Sequence, residues 1–549
     1  MLFISSCSGI RKLVPHTQPP RPHIRTIRRI LVSLLGLTFS SLFLLWITGL
    51  KVHIYPKGFL DVFRYGDKDK IITGSPPDWS WLYAHEDGLP QHNLDLPFPE
   101  GRTGRYVRFS NEIRQLGWNN VFNEVLMNTH LARASNRAYV FQDYHWKDSY
   151  YPWPIPPITF SPSRRHPRTP LSALISGPSA GGPWEPDDPS PRSVSVRYWD
   201  IVCPQKERKY IYTNEVKPLI PKPTKDSLSR SRYGYAGGPV GENQRQNWES
   251  PWGDEIFKYW KDLLLNSPER CVEILPGGLK DGEGEDPYPQ TFDVRMWATQ
   301  KVLPLWESFS VSPVSKLLKA SPTVKSGVDR NLHLFQVRGS SSEPMVGDSK
   351  RVDEDQDPLS SVLAIHVRLG DFSDACTDLL AAYNLTFYSW NLLPFLSQED
   401  VFIPPPGGVP SPSPNEEYVY GKNTPENVSV YLDRCQPSIG RTVEKVHSVR
   451  QSLEADNLLR LHTVYILTNS SPSQLRLLRN ELQREGWENI VTSRDLVLDD
   501  YQRDVGPAVD AEIARRARGF IGNGWSSMTS NIVHQRLVTG HEPKSIRFW

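Results

Sequence analysis

Residues Val362 to Phe372 read VLAIHVRLGDF. The first six form a continuous β-branched and apolar run, as expected of a strand buried on both faces. Residues two apart on a strand point to the same side, so His366 and Arg368 converge where this strand ends. Outward from it the chain alternates. The pattern predicts a strand from Thr463 to Leu467, a helix from Pro472 to Glu485 and a short strand from Ile490 to Thr492. A helix from Val509 to Arg518, a strand at Phe520 and Ile521 and a helix from Met528 to Arg536 come after these. Buried strands interleaved with amphipathic helices imply an α/β lobe with a parallel sheet, and such sheets bind ligands beyond the carboxyl ends of their strands.

Upstream the signals are sparser. Val121, Phe122, Val125, Leu126 and Leu131 recur at three- and four-residue spacing, predicting a helix from Asn120 to Ser135, and a strand follows from Ala138 to Phe141. Residues 151 to 192 are punctuated by Pro, Gly and Ser, an irregular excursion. Helical patterns return at Trp252 to Leu265 and Phe292 to Trp306, and residues 339 to 357 form a polar, mixed-charge insertion. The chain has 549 residues, room for several domains, and its 38% hydrophobic content and 17 Trp mark it as globular. Pro, at 49 residues, clusters in loops and linkers. The 63 Lys plus Arg against 61 Asp plus Glu leave a net charge of +2, which argues against a nucleic-acid partner.

Ile30 to Leu50 holds 21 residues without a charge, enough to span a bilayer. Arg11, Lys12, Arg21, Arg25, Arg28 and Arg29 precede it with no acidic residue, so the expected topology is type II, with the whole chain after Leu50 across the membrane. The rival, a cleaved signal peptide, lacks a small-residue cleavage site. Cys203, Cys271, Cys376 and Cys435 come after the segment and suggest two disulfides. Of three connectivities, Cys203 with Cys271 and Cys376 with Cys435 is favoured because each pair stays within one half of the chain; free buried thiols are the alternative. Asn384 and Asn427 head glycosylation sequons, whereas the sequon at Asn469 precedes Pro472 beside a buried strand and is expected to stay unmodified.

Three constellations carry chemistry. At the end of the first strand, Arg368 suits a diphosphate because its planar fork donates paired hydrogen bonds; a structural bridge to Asp371 is the bland reading. Phe520 to Ser530, FIGNGWSSMTS, is a strand, a Gly-containing turn and a helix start, where Ser526 and Ser527 can cap the helix and bind an anion. Gly117-Trp118-Asn119-Asn120 leads into a helix, and by itself reads as a cap. The D-x-D spacings at Asp67/Asp69, Asp353/Asp355 and Asp355/Asp357 would suit Mg or Mn but lie in the stem or the insertion, where a solvated surface is expected. Arg515, Arg516 and Arg518 read as a solvated helix face.

Taken in order, Gly117 to Asn120 before a helix ending at Asn136-Arg137, His366-x-Arg368-x-x-Asp371-Phe372, Tyr465 to Asn469, Val509-Asp510-x-Glu512, and Phe520 to Asn523 with Ser526-Ser527 resemble the GDP-fucose protein O-fucosyltransferase family. They are broadly similar to α1,6-fucosyltransferases too. The resemblance spans about Gly104 to Arg536 and marks a divergent member. It implies an α/β, GT-B-like fold of two Rossmann-like lobes facing a cleft, inversion at the fucose anomeric carbon, GDP-fucose as donor substrate, no metal and no other cofactor. Arg368 and Asn120 would be catalytic. His366, Asn119, Ser526 and Ser527 would bind the donor, as would Asp510 near the guanine or the ribose, unless it supports the neighbouring loop instead. The opening motif departs from the family's in having Trp118 and Asn119 where Gly is common. Glu112 and Glu124 lie near the right segment for a general base, but a surface ion pair is the expected fate of each.

The domains expected are a cytosolic tail at 1–29, the anchor at 30–50, a stem at 51–100, an N-terminal acceptor-side lobe at 101–310, a linker or insertion at 311–357 and a C-terminal nucleotide-sugar-binding lobe at 358–549. The expected protein is a single-pass membrane fucosyltransferase of the Golgi or endoplasmic reticulum, its catalytic part luminal, acting on a protein or glycan acceptor. Transfer from another nucleotide sugar, and a catalytically silent nucleotide- or glycan-binding protein, are the alternatives.

Overall fold

A computed structural model describes residues 74–155, 167–216, 219–220, 252–277, 291–292, 294–298, 300–336, 357–368, 372–381, 385–405, 424–457 and 460–549. The expected anchor at 30–50, the Asp67/Asp69 and Asp353/Asp355 pairs, Leu369 to Asp371 and Asn384 lie outside these residues. Among the described residues no helix is long and apolar enough to cross a membrane.

Two five-stranded parallel sheets organise the chain. The first contains β1 (Tyr106–Phe109), β2 (Ala138–Phe141), β3 (Val194–Ser195), β4 (Arg208–Tyr212) and β5 (Cys271–Leu275) in the order β3-β2-β1-β5-β4. The second contains β6 (Val362–His366), β7 (Thr463–Leu467), β8 (Asn489–Thr492), β9 (Gly519–Gly522) and β10 (Ile546–Phe548) in the order β8-β7-β6-β9-β10. In each the chain runs outward in one direction and then resumes on the other side of the first strand. The strand order therefore reverses between β1 and β5 and between β6 and β9, and beyond the carboxyl ends at such a reversal lies the crevice where open α/β sheets bind ligands.

The buried strands arise from helices on both faces. Leu363 and Ile365 of β6 pack with Val446, Leu453, Leu475 and Leu482 from helices Ile439–Asn457 and Pro472–Arg484, whereas Val362 and Ala364 join the main core. His366 shares the face of Ala364, as period-two alternation requires. Two buried arginines close helix ends: Arg137 donates to Leu264 and Ser267 carbonyls past helix Gly253–Asn266, and Arg536 donates to Ala514 and Ala517 carbonyls past helix Gly506–Arg516. Cations placed on the last carbonyls satisfy orphan acceptors and suit the helix dipole.

Cys203 pairs with Cys271 and Cys376 with Cys435, as favoured from the sequence. These bridges close loops with separations of 68 and 59 residues, each worth about 4 kcal/mol in a chain-entropy treatment. Differences from the expected elements have local causes. In place of the expected helix at 292–306 stand helix Val294–Trp297, a 3-10 stretch Gln300–Leu305 and helix Trp306–Ser310; Pro304, inside the middle stretch, cannot donate to an α-helical ladder there. Part of the expected stem, residues 74–100, is folded: helix Ser80–Asp87 follows Trp79, whose indole donates to Asp504 at 3.0 Å. Residues 313–331, expected as linker, form helices Pro313–Lys316 and Pro322–Asn331, capped by Ser312 and Ser321.

Candidate functional site

The reversal between β6 and β9 places His366, Arg368, Ser526 and Ser527 past the ends of two neighbouring strands. Past β6, the Arg368 guanidinium lies over the Phe372 ring, 4.2 Å from its centroid. His366 is buried; its Nδ1 lies 3.0 Å from Thr529 Oγ1, and its carbonyl accepts the Trp549 indole N–H at 2.8 Å. Burial, reinforced by the Arg368 charge, lowers the imidazole pKa from 6.5 to about 3, so His366 is neutral at physiological pH.

Past β9 the chain turns through Asn523, Gly524 and Trp525 into helix Ser527–Val538. A Cβ on Gly524 would stand 2.3 Å from the Phe387 ring, so only glycine lets the turn pass this close. Ser526 is the N-cap, its hydroxyl accepting from Met528 N–H at 3.2 Å. Ser526 is buried, and its hydroxyl still has one hydrogen to donate. Ser527, half-buried, opens the helix where unpaired N–H groups and the dipole favour an anion.

Asn119 and Asn120 tie the other half of the chain to the helix after this turn and to the segment packed on it. Helix Trp118–Ala134 has Gly117 at its N-cap position, so neither asparagine caps it. Instead Asn531 Nδ2 donates to the Asn119 carbonyl and to its Oδ1, at 2.9 and 3.1 Å. Asn120 Oδ1 accepts from the Tyr388 hydroxyl at 3.3 Å, and Tyr388 N–H donates to the Gly524 carbonyl at 2.8 Å. Asn391 Nδ2 donates to the Gly524 and Ser526 carbonyls. Asn531, Tyr388 and Asn391 thus join the site without a sequence signal: their partners are more than a hundred positions away, and each residue alone is an ordinary polar side chain.

Asp510 stands apart from this cluster. Its carboxylate accepts from Tyr465 Oη at 2.5 Å and from Ser493 Oγ at 2.9 Å, and burial raises its pKa to about 6. Glu112 and Glu124, expected in surface ion pairs, are both buried. Glu112 accepts from Tyr139 Oη, Asn128 Nδ2 and Gln142 Nε2, and burial raises its pKa; Glu124 accepts the Ile113 N–H at 2.8 Å. With helix Trp118–Ala134 laid against β1 and β2, these carboxylates are turned inward. Glu112, Arg114, Trp118, Gln142 and Tyr144 line a small cleft past the carboxyl ends of those two strands.

Among the described residues no three or more His, Cys, Asp or Glu side chains converge as a metal site. Asp357 is taken up in a paired hydrogen bond with Arg516, at 3.0 and 2.9 Å, and Arg515 pairs with Glu512. Asn427 stands in the first turn of helix Pro425–Cys435 and is half-buried; Asn469 is exposed just past β7.

No protein-family model matches the chain, and no curated protein does. Among solved structures, POFUT1 in complex with GDP-fucose is similar at a TM-score of 0.41 and 14% identity, covering 81% of this chain and 98% of that one. NodZ alpha-1,6-fucosyltransferase soaked with GDP-fucose is similar at a TM-score of 0.30 and 12% identity, covering 79% and 92%. Likenesses this shallow assign no activity to the chain.

Proposed function

We propose that this protein is a fucosyltransferase that transfers fucose from GDP-fucose, with inversion and without a metal, to a protein or glycan acceptor. The observation that carries this reading is that the strand leading to His366 and Arg368 lies directly beside the strand leading into the Ser526-Ser527 helix start, with His366 Nδ1 on Thr529 Oγ1 between them. The ordered resemblance of the motifs supplies the donor class. Arg368 donates to the β-phosphate while the Ser526 hydroxyl and the first N–H groups of the helix hold phosphate oxygens. The acceptor oxygen attacks the anomeric carbon from the face opposite the phosphate. The bond from that carbon to the phosphate oxygen breaks, its electron pair leaves on GDP, and the acceptor proton departs to solvent or a nearby base. Fixed donors in a water-poor site stabilise such leaving-group charge without reorganising. A buried neutral His366 adds no charge of its own beside the phosphates.

Asn119 and Asn120 face the donor from the first half of the chain, which forms the acceptor-side lobe of a GT-B-like arrangement. The cleft at Glu112, Arg114 and Gln142 suits acceptor hydroxyls. Asp510 contributes near the nucleoside. The protein is a type II membrane protein of the Golgi or endoplasmic reticulum, anchored by residues 30–50; its two disulfides suit that oxidising lumen.

Binding of GDP-fucose, GDP, UDP and CMP to the full-length chain and to Arg368→Ala, with and without EDTA, tests the reading. GDP and GDP-fucose binding that survives EDTA and collapses in Arg368→Ala is expected. Folded wild-type protein that ignores GDP would sink it, and preference for UDP or CMP would point to another donor.

A further inference from the structure

The two halves of the phosphate site are loops about 150 residues apart in sequence, and one disulfide lies on the path between them. Beneath Arg368, Phe372 starts the turn that leads to Cys376, whose N–H donates to the Phe372 carbonyl at 2.9 Å. Cys376 is bonded to Cys435, and the Cys435 carbonyl accepts from Asn523 Nδ2 at 2.6 Å. Asn523 is fully buried and also organises the second loop: its Oδ1 accepts from Trp525 N–H at 3.1 Å and its carbonyl accepts from Ser526 N–H at 3.0 Å. Both polar atoms of this side chain are therefore engaged, one on the turn and one on the main chain of the bridged Cys435. The aromatic packing of Trp525 against Phe387, Phe402 and Tyr431 closes the turn from the outside.

We propose that Asn523 and the Cys376–Cys435 disulfide are positioning residues for donor binding, a brace that holds the Ser526-Ser527 phosphate cradle in register with Arg368. The proposal rests on the fucosyltransferase reading of the site. It separates the roles of the two disulfides. Cys203–Cys271 ties the loop after Val202 to β5 in the first sheet, and touches neither loop. A displacement of about an ångström between groups that must meet one ligand costs large factors in recognition, whereas a bridge that only limits the unfolded chain alters stability and leaves ligand preference alone.

The discriminating quantity is the preference for GDP over GMP, since the β-phosphate is the group placed between the two loops. It is measured by calorimetric titration on full-length wild type, Arg368→Ala, Cys376→Ser/Cys435→Ser, Asn523→Ala and Cys203→Ser/Cys271→Ser, each with its melting temperature. The expected result is a GDP-over-GMP preference that falls about tenfold or more in Asn523→Ala and Cys376→Ser/Cys435→Ser, toward the Arg368→Ala value. Cys203→Ser/Cys271→Ser should melt earlier yet keep the wild-type preference. If Cys376→Ser/Cys435→Ser does not fold, Asn523→Ala, which leaves the bridge in place, decides. A wild-type preference retained in Asn523→Ala overturns the brace and leaves the functional reading standing. Absence of any GDP preference in wild type overturns both.

Discussion

His130 lies 7% exposed between the rings of Phe257 and Phe309, and neither of its nitrogens has a hydrogen-bond partner. Burial lowers its pKa from 6.5 to about 4. His534, stacked on Phe309 with Nε2 on Ser315 Oγ, is lowered to about 3 by the same cause, as is His366. The unfolded chain therefore binds these protons first as pH falls. Stability is whole above the unfolded value of 6.5 and drains away below it, toward the folded values near 3 and 4. Asp510 opposes this: with a folded pKa raised from 3.8 to about 6, it costs stability as pH rises from 3.8 to 6. Replacing His130 by Phe keeps the ring and removes two unsatisfied polar atoms. His130→Phe should melt no lower than wild type at pH 7.5 and should lose less between pH 6.5 and pH 4.5. Parallel melting curves for the two proteins across that range would count against the assignment. Nothing in the sequence marks His130, because a histidine inside an apolar helical stripe is legible only as core.

Helix Ser527–Val538 has two serines at its start with different duties. Ser526 caps it, so Ser526→Ala should cost about 1 kcal/mol of stability and weaken GDP binding together. Ser527 makes no capping bond, so Ser527→Ala should leave the melting temperature within a degree or so while still weakening GDP. A stability loss in Ser527→Ala equal to that in Ser526→Ala would contradict this division. Elements of this kind are the most legible part of the chain. The strands β2 and β7 fall where the apolar runs place them, and the helix at 472 ends one residue short of its expected limit. Helix Gly506–Arg516 begins three residues before the periodicity does, because Gly506 and Pro507 supply a helix start but no apolar repeat. Helix Ser80–Asp87 escapes notice for a related reason: it buries Leu82 and Glu86 but carries too few apolar residues for a stripe, and is held through Trp79. The strand-end motifs at Arg368 and Ser526 are readable because sheet chemistry is local to strand ends, whereas Asn531 and Tyr388 depend on which half of the chain faces them.

At the scale of the whole molecule the two sheets are joined through polar bonds as well as through one continuous core. Asp504, 1% exposed, accepts from the Trp79 indole at 3.0 Å, the Trp153 indole at 3.0 Å and Thr169 Oγ1 at 2.6 Å, and Trp146 donates to the same threonine. One carboxylate from the second half thus collects three segments of the first. Burial raises its pKa, and the three donors offset part of that cost. Asp504→Ala would leave the donors buried and unanswered, a loss of about 3 kcal/mol or more. Asp504→Asn, which keeps an acceptor oxygen in place, should lose less. The Asn119 to Asn531 bonds and the packing of helix Pro322–Asn331 against helix Gly506–Arg516 join the halves independently. The halves should therefore still unfold together in Asp504→Ala, at a lower midpoint. Tryptophan fluorescence and far-ultraviolet circular dichroism, recorded through one urea titration, should give coincident curves for wild type and both variants. Two resolved transitions in Asp504→Ala would mean that the carboxylate alone couples the halves, and two in wild type would mean that they are separate folding units whose shared site is assembled only by weak contact.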